Sequence, residues 1–251
     1  MNEVIRSLFE RRSVRAYEKK PISEADKNLI LDSALQAPTA GNQILYAIVD
    51  VEEQRLKDEL ADSCDHQPFI AEAPLVLVFL ADCRRWLDCY LAAGAECREP
   101  GLGDIELAIV DAAIAAQNSV VAAESLGIGS CYIGDIMENR ERIVELLKLD
   151  RYTVPAAMVV YGYPTEQQRT RKKPRRFERE FIVHRNAYER SPQETLRAAH
   201  AKQSGQSDYN FDASIRAFCA RKYMSVFSLE MTRSVSGYLD AFRHSGESGK
   251  K

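Results

Sequence analysis

The residues whose types and spacing could do chemistry first gather near the N-terminus, in the basic segment RRSVR at residues 11–15. If this segment is extended, Arg11, Ser13 and Arg15 point to one side of the chain. Two guanidiniums and a hydroxyl on one side suit a phosphate group, because arginine offers planar, bidentate donors. The alternative is a solvated basic turn, and the segment alone does not separate the two interpretations.

Two further segments carry side-chain amides that could form hydrogen bonds with a flat ligand. Residues 37–43 read APTAGNQ and place Asn42 after a proline and small residues, just before a predicted strand. Such a loop lets the backbone approach a ligand closely, although an ordinary helix-to-strand connection has the same composition. Gln67 offers both a donor and an acceptor, which suits the edge of a pyrimidine-like ring. We interpret the neighbouring His66 as a residue of a surface turn.

A glycine-rich segment and a second basic segment follow. Residues 126–135 read LGIGSCYIGD, but they follow a predicted helix and enter a predicted strand. The dinucleotide-binding fingerprint requires the opposite order, so we expect a close approach of backbone to ligand and not a Rossmann site. At residues 171–176, RKKPRR, the proline could hold Lys173 and Arg175 toward one anion. The same run could instead face solvent or nucleic acid.

Composition narrows the classes of protein. The 251 residues, of which 45% are hydrophobic, suffice for one large domain, and the net charge of −3 argues against general nucleic-acid binding. The most apolar run, residues 105–126, is interrupted by polar residues such as Asp111, which argues against a membrane helix. The N-terminal residues lack the apolar stretch of a signal peptide, so we expect a cytoplasmic protein. The six cysteines lack metal-ligand spacing and are expected to be reduced thiols without a metal.

The apolar pattern predicts which elements position these segments. An amphipathic helix should open the chain with Asn2 as its N-cap, and a second should begin after Ser23 and end near Pro38. Further strands are predicted at residues 44–51, 75–81, 128–133 and 154–161, and further helices at residues 54–63, 105–126 and 139–147. This order predicts an α+β sandwich around a central sheet that is mixed or largely antiparallel. Residues from 191 should form helices, and residues 244–251 should be disordered.

The five segments, in this order and approximate spacing, resemble the nitroreductase family of FMN-dependent NAD(P)H oxidoreductases. The resemblance covers roughly residues 1–190, and the KPR sequence at residues 173–175 is closer to the larger, flavin-reductase-like branch. It implies a three-layer α+β sandwich with helices on both sides of the sheet, assembled as a homodimer with two FMN sites at the subunit interface. It also implies an FMN-binding domain at residues 1–190. Residues 191–251 lie outside the resemblance and are expected to form a helical C-terminal extension, which either embraces the other subunit or is an independent appendage.

The resemblance assigns roles to particular residues. Two basic segments would hold the FMN phosphate and the ribityl oxygens, with Arg12 in a supporting role. The residues of this set are Arg11, Arg12, Ser13, Arg15, Lys173 and Arg175. Thr39 and Asn42 would come from the partner subunit, and Gln67 would bond the pyrimidine edge of the flavin. The residues that would pass beside the ring are Ile128, Gly129, Tyr132, Ile133 and Gly134.

The function implied by the resemblance is electron transfer from NAD(P)H, through bound FMN, to nitroaromatics, quinones or flavins by a ping-pong mechanism. In such enzymes the cofactor supplies the chemistry, which agrees with a sequence in which no catalytic side chain stands out. Two alternatives stay open. One is other flavin chemistry on the same scaffold, namely reductive dehalogenation or flavin breakdown. The other is a nucleic-acid-binding regulator that uses the basic residues 169–176.

Overall fold

The structure is a computed structural model, and it describes residues 1–243. The described chain divides into two compact units: one comprises Met1–Arg171 and residues 230–243, and the other comprises Lys172–Leu229. The predicted domain boundary between residues 190 and 191 lies inside the second unit. The predicted disordered ending, residues 244–251, lies outside the described residues.

The first unit is built around a four-stranded antiparallel sheet with the strand order β1-β2-β4-β3. Its strands are β1 Tyr46–Asp50, β2 Leu75–Asp82, β3 Gly129–Ile133 and β4 Thr153–Gly162. The two central strands, β2 and β4, are buried along almost their whole length, as expected where helices cover both faces of a sheet. The predicted α+β class is therefore confirmed. The sequence allowed a mixed or an antiparallel sheet, and the sheet is antiparallel.

Helices surround this sheet and make up most of the second unit. Those of the first unit are α1 Glu3–Glu10, α2 Glu24–Leu35, α3 Gln54–Ser63, α4 Pro68–Ala71, α5 Arg84–Ala92, α6 Leu102–Ser125, α7 Arg140–Leu147 and α8 Glu166–Thr170. The second unit contains α9 Gln193–Ser204 and α10 Phe211–Lys222, and α11 Val226–Arg243 begins there and continues into the first unit. The Asn2 and Ser23 side chains accept the N–H groups of Ile5 and Asp26, which confirms both predicted N-caps.

Helices pack on both faces of the sheet, which gives three layers. On one face, α6 and α2 bury small and branched side chains such as Ala116 and Ile30 against Phe79 of β2. On the other face, α3 and α7 bury Leu60 and Ile143 against the opposite side chains of the strands. By length and composition alone α6 could cross a membrane, but in this fold it is the core helix of the sandwich.

The first strand is shorter than the sequence predicted, because Ile44 does not join the sheet. Its φ is 53°, in the left-handed region that a β-branched residue rarely adopts. The Ile44 N–H donates to the Thr39 hydroxyl at 2.8 Å, and the Ile44 carbonyl accepts from Arg85 Nη1 at 3.1 Å. Both backbone groups are thus bonded outside the strand ladder. The prediction of a strand from residue 44 is wrong for this reason.

The Tyr17 ring of the N-terminal segment packs directly on the backbone of Gly162, the last residue of β4. A Cβ atom at Gly162 would lie 2.4 Å from Tyr17 Cδ1 and 2.9 Å from Pro74 Cδ. The neighbouring Glu18 N–H donates to the Tyr163 carbonyl at 2.8 Å. The chain between α1 and α2 therefore passes the end of β4 at a position where only a glycine leaves room.

Gly162→Ala is expected to lower the free energy of unfolding by about 1–3 kcal/mol, because the added methyl overpacks a site with no space. Urea unfolding measures this change. The matched control is Gly103→Ala in α6, where a Cβ would meet nothing within 4 Å. That control should leave the stability unchanged or raise it by up to about 1 kcal/mol. Equal effects of the two substitutions would contradict the packing described here.

The last helix closes the first unit by capping α7. The Asn139 N–H donates to Glu230 Oε1 at 3.1 Å, and the Arg140 N–H donates to Ser234 Oγ at 3.0 Å.

Next to this junction Glu138 is buried, and its Oε1 has no hydrogen-bond partner within residues 1–243. Burial, together with the smaller effect of the nearby carboxylates of Asp135, Asp65 and Glu230, raises the pKa of Glu138 to about 7.

Glu138→Gln should change the pH dependence of stability. Because the folded pKa of Glu138 lies above its unfolded value, its contribution is present at low pH and is lost as the pH rises toward 7. The free energy of unfolding of the variant, relative to wild type, should therefore rise by about 1–3 kcal/mol between about pH 5 and pH 8.

Denaturant unfolding across this pH range measures the effect. The control is Glu141→Gln in the first turn of α7, where a hydrogen bond from Arg233 lowers the pKa of Glu141 to about 2. Its difference from wild type should stay constant above about pH 5, because Glu141 is already ionised there. A constant difference for Glu138→Gln as well would show that Glu138 does not titrate in this range.

Candidate cofactor site

The basic segment lies as an extended chain against β3. The Val14 N–H donates to the Ser130 carbonyl at 2.9 Å, and Ser13 pairs with Ser130 in a parallel bridge. Val14 is buried, and a Cβ atom at Gly129 would lie 2.4 Å from Val14 Cγ2. Gly129 therefore permits the approach, and with Val14 turned inward Ser13 and Arg15 are directed away from the core.

The functional groups of the basic segment gather around Cys131 of β3. Burial raises the pKa of the Cys131 thiol, while the positive charges of Arg15 and Arg11 and a hydrogen bond with Ser13 oppose that rise. Burial also raises the pKa of Tyr132 to about 12, again with Arg11 opposing. The structure thus brings Arg11, Ser13 and Arg15 together at one place on the sheet edge.

Two polar atoms at this place lack partners. Arg11 Nη1 and Ser130 Oγ are buried, and neither has a hydrogen-bond partner in the described part of the chain. A buried donor without an acceptor costs about 1–3 kcal/mol, so an orphaned guanidinium nitrogen indicates a missing anionic or polar group. A phosphate oxygen supplies such an acceptor, and the donors present therefore fit the FMN phosphate.

Arg12 behaves differently from its neighbours. Its Nη1 donates to the carbonyl oxygens of Arg169 and Arg171, both at 2.6 Å. The Arg15 N–H donates to Gln168 Oε1 at 3.2 Å. Arg12 therefore ties the basic segment to the end of α8, and its supporting role at the cofactor stays a prediction.

Gln67 and its neighbours come next to the basic segment. The Arg15 guanidinium lies over the Phe69 ring, 5.7 Å from its centroid, which is a cation–π distance. Gln67 Nε2 donates to the Cys64 carbonyl at 2.8 Å, so one amide proton is engaged and Oε1 is oriented as an acceptor. His66 is exposed, with Nδ1 2.6 Å from Asp62 Oδ1, which confirms its place in a surface turn.

The residues predicted to pass beside the ring fall into two groups. The side chains of Ile128 and Ile133 are buried in the core, so a ligand could meet these residues only through their backbone. Tyr132 and Gly134 are exposed, and the Tyr132 hydroxyl donates to Gln117 Oε1 at 3.3 Å. Of this set, Tyr132 carries the side chain that reaches the surface.

The loop at residues 39–45 is bonded to the buried carboxylate of Asp111, which is not among the predicted site residues. The Thr39 hydroxyl donates to Asp111 Oδ2, the Ala40 N–H to Oδ1 at 3.0 Å, and the Leu45 N–H to Oδ2 at 3.2 Å. Asp111 lies on the buried face of α6. An acidic residue on an alanine-rich helix face was the signal that could have found it, because a buried carboxylate requires partners.

The same loop is strained and is held from its other side. Gly41, Asn42 and Ile44 have φ values of 56°, 57° and 53°, and such a conformation costs a non-glycine residue about 1–3 kcal/mol. Trp86 Nε1 donates to the Gln43 carbonyl at 2.8 Å. A side chain of α6 therefore accepts the N–H groups of the loop, and side chains of α5 donate to its carbonyls. The Asn42 side chain is exposed.

Lys173 and Arg175 belong to the second unit, Lys172–Leu229. Within that unit the Arg175 guanidinium lies so close to Gly205 that a Cβ there would be 1.7 Å from Nη1. Gly205 has a φ of 65° and ends α9, as is typical of a glycine at a helix C-terminus. That Lys173 and Arg175 close on the same phosphate as Arg11 stays a prediction.

The sequence of this chain is similar to those of known flavin reductases and nitroreductases. The sequence model of the nitroreductase family matches residues 8–163. "FMN reductase [NAD(P)H]" of Bacillus subtilis is 34% identical over 191 residues, which cover 75% of this chain and 75% of that protein. "Oxygen-insensitive NADPH nitroreductase" of Salmonella typhimurium is 32% identical over 192 residues, which cover 75% of this chain and 76% of that protein.

Solved structures agree in fold along nearly the whole chain. The structure of NfrA2 from B. megaterium superposes with a TM-score of 0.80 at 27% identity, covering 97% of this chain and 99% of that one. The residues matched by the family model include the basic segment, the loop at residues 39–45, Gln67 and β3. The chain therefore belongs to the nitroreductase family.

Proposed function

We propose that this protein is a cytoplasmic, FMN-dependent oxidoreductase that passes electrons from NAD(P)H to small electron-poor acceptors, namely nitroaromatics, quinones or flavins, by a ping-pong mechanism. Family membership and relatives named FMN reductase and NADPH nitroreductase support this proposal. The observation that carries it for this chain is the buried, unpartnered guanidinium nitrogen of Arg11 beside β3. A buried cationic donor that lacks an acceptor is suited to an anionic ligand.

The phosphate end of the cofactor is assigned to the basic segment. Arg11, Ser13 and Arg15 would bind the phosphate and ribityl oxygens, since these three gather at one place. Arg12 would act through the chain it anchors, because its Nη1 is bonded to two carbonyl oxygens. Lys173 and Arg175, within the proposed FMN-binding domain of residues 1–190, would close on the same phosphate, and residues 191–251 would be an extension of that domain.

The ring end is assigned to amides and backbone. FMN, when bound, supplies the hydride and electron chemistry. Gln67 would bond the pyrimidine edge, since its amide is held by the Cys64 carbonyl in a defined orientation. N–H donors at that edge would stabilise negative charge on the reduced ring. Residues 128–134 would line the ring through their backbone and Tyr132, and Thr39 and Asn42 would belong to the partner subunit's side of the site.

A homodimer is part of the proposal. The described surface carries large apolar side chains on α1, including Val4 and Phe9, and on the outer face of α6, including Leu107 and Val110. No residue of α1 is buried, although its apolar residues lie on one side. Exposed apolar faces of this extent indicate an interface, and a second copy of this chain would cover them.

The proposal predicts a yellow protein. Full-length protein supplied with FMN should keep it through gel filtration, show the absorbance of bound flavin, and oxidise NAD(P)H when given a nitroaromatic, a quinone or free flavin. Absorbance spectra and steady-state kinetics, with analysis of the products, measure this. A protein that stays colourless and takes up no FMN would refute the function, whereas dehalogenated products or a fragmented flavin would reassign the chemistry.

Arg11→Ala should weaken FMN binding by roughly 10- to 100-fold, because it removes a buried cationic donor to the phosphate. Riboflavin, which has no phosphate, should lose little affinity in the same variant. Quenching of flavin fluorescence gives both dissociation constants. The charge-matched control is Arg6→Ala on the exposed surface of α1, which should leave both unchanged. Equal losses for FMN and riboflavin would show that Arg11 does not act on the phosphate.

A further inference from the structure

The bonding of Thr39 limits what its hydroxyl can offer a ligand. A hydroxyl has one proton and two lone pairs. The proton of Thr39 goes to Asp111 Oδ2, and one lone pair accepts the Ile44 N–H at 2.8 Å. Thr39 therefore has no proton left for a cofactor. Its side chain is engaged in holding its own loop.

Asp111 collects the donors of this loop at one point. Its two oxygens accept the Thr39 hydroxyl and the backbone N–H groups of Ala40 and Leu45, residues at both ends of the loop. The side chain is 3% exposed and extends from α6, the helix at the centre of the core. The Asp111 carboxylate therefore holds the two ends of the loop close together, because both ends donate hydrogen bonds to it.

Without these hydrogen bonds the loop would not keep its conformation. Asn42 and Ile44 both have positive φ values, and Ile44 is β-branched. Residues in sparsely populated backbone regions persist only where their surroundings over-determine them, and they cluster at ligand-binding sites. Asp111 on one side, with Arg85 and Trp86 on the other, supplies that constraint.

We propose that Asp111 is a positioning residue of the flavin site, which holds residues 39–45 in the conformation that meets the cofactor. Thr39 serves the site through Asp111 and not by donating to the ligand, so the contacts of this loop come from its backbone and from Asn42. The proposal rests on the proposed function and deepens it. It assigns a role to an acidic residue that touches neither cofactor nor acceptor.

The test uses full-length protein and two substitutions that keep side-chain volume. Asp111→Asn replaces one acceptor oxygen by a donor that meets the loop's own N–H groups, and Thr39→Val removes the hydroxyl. The double variant asks whether the two residues act as one. Ser119→Ala is the matched control, since Ser119 is buried on the same helix and bonds the Tyr161 hydroxyl at 2.6 Å, away from the loop.

The first measurement needs no cofactor. Hydrogen exchange at the amides of residues 39–45 should be accelerated at least about tenfold in Asp111→Asn and in Thr39→Val, because each loses ties that hold the loop. Ser119→Ala should exchange at the wild-type rate in this segment. Unchanged exchange in Asp111→Asn would overturn the proposal at its structural step.

The second measurement separates positioning from mere stability. The dissociation constant for FMN should rise at least about tenfold in both single variants, while kcat at saturating FMN changes less than about threefold. The double variant should resemble the more affected single variant, because both substitutions break the same chain of bonds. Ser119→Ala should bind FMN as the wild type does.

Each of the remaining outcomes would overturn one part of the proposal. Faster exchange with unchanged FMN affinity would make Asp111 purely structural, and multiplied effects in the double variant would give Thr39 its own contact with the ligand. A wild-type protein that binds no FMN would refute the proposed function itself, and the exchange data would still show whether Asp111 holds the loop. If Asp111→Asn fails to fold, Thr39→Val, which retains the carboxylate, decides the question.

Discussion

The contact of the basic segment with β3 is the interaction on which the site depends. Val14 fills the space that Gly129 leaves open, and the Val14 N–H is bonded to the strand carbonyl at Ser130. This pairing orients the flanking side chains, because an extended chain with one residue turned inward must turn its neighbours outward. In the same segment, Nη1 of Arg11 is buried without a hydrogen-bond partner among residues 1–243, which is costly until an anion binds.

The loop at residues 39–45 shows the complementary principle. The basic segment is positioned by pairing with a strand, whereas this loop is positioned by side chains from two helices. Asp111 of α6 accepts its N–H groups, and Trp86 of α5 donates to its Gln43 carbonyl. Because these anchors belong to packed helices, the loop can keep a backbone conformation with positive φ at Ile44. Binding surfaces built in this way need little reorganisation when a ligand arrives.

Much of this architecture could be predicted from the sequence, since hydrophobic periodicity and caps are local signals. The strands, the core helix α6 and the alternation of Arg11, Ser13 and Arg15 follow from them. The Asp111 bonds could not be predicted, because they join residues about 70 positions apart in the chain. The left-handed Ile44 was missed for the same reason: tertiary bonds to Arg85 override the strand preference of a β-branched residue.

The central claim is that the Arg11 side chain binds the phosphate of FMN. A crystal structure of the full-length protein with FMN measures it most directly. We expect a phosphate oxygen within about 2.7–3.2 Å of the Arg11 guanidinium, at the buried nitrogen that otherwise lacks an acceptor. An FMN whose phosphate lies away from the basic segment, with Arg11 still unpartnered or bonded to protein alone, would contradict the claim.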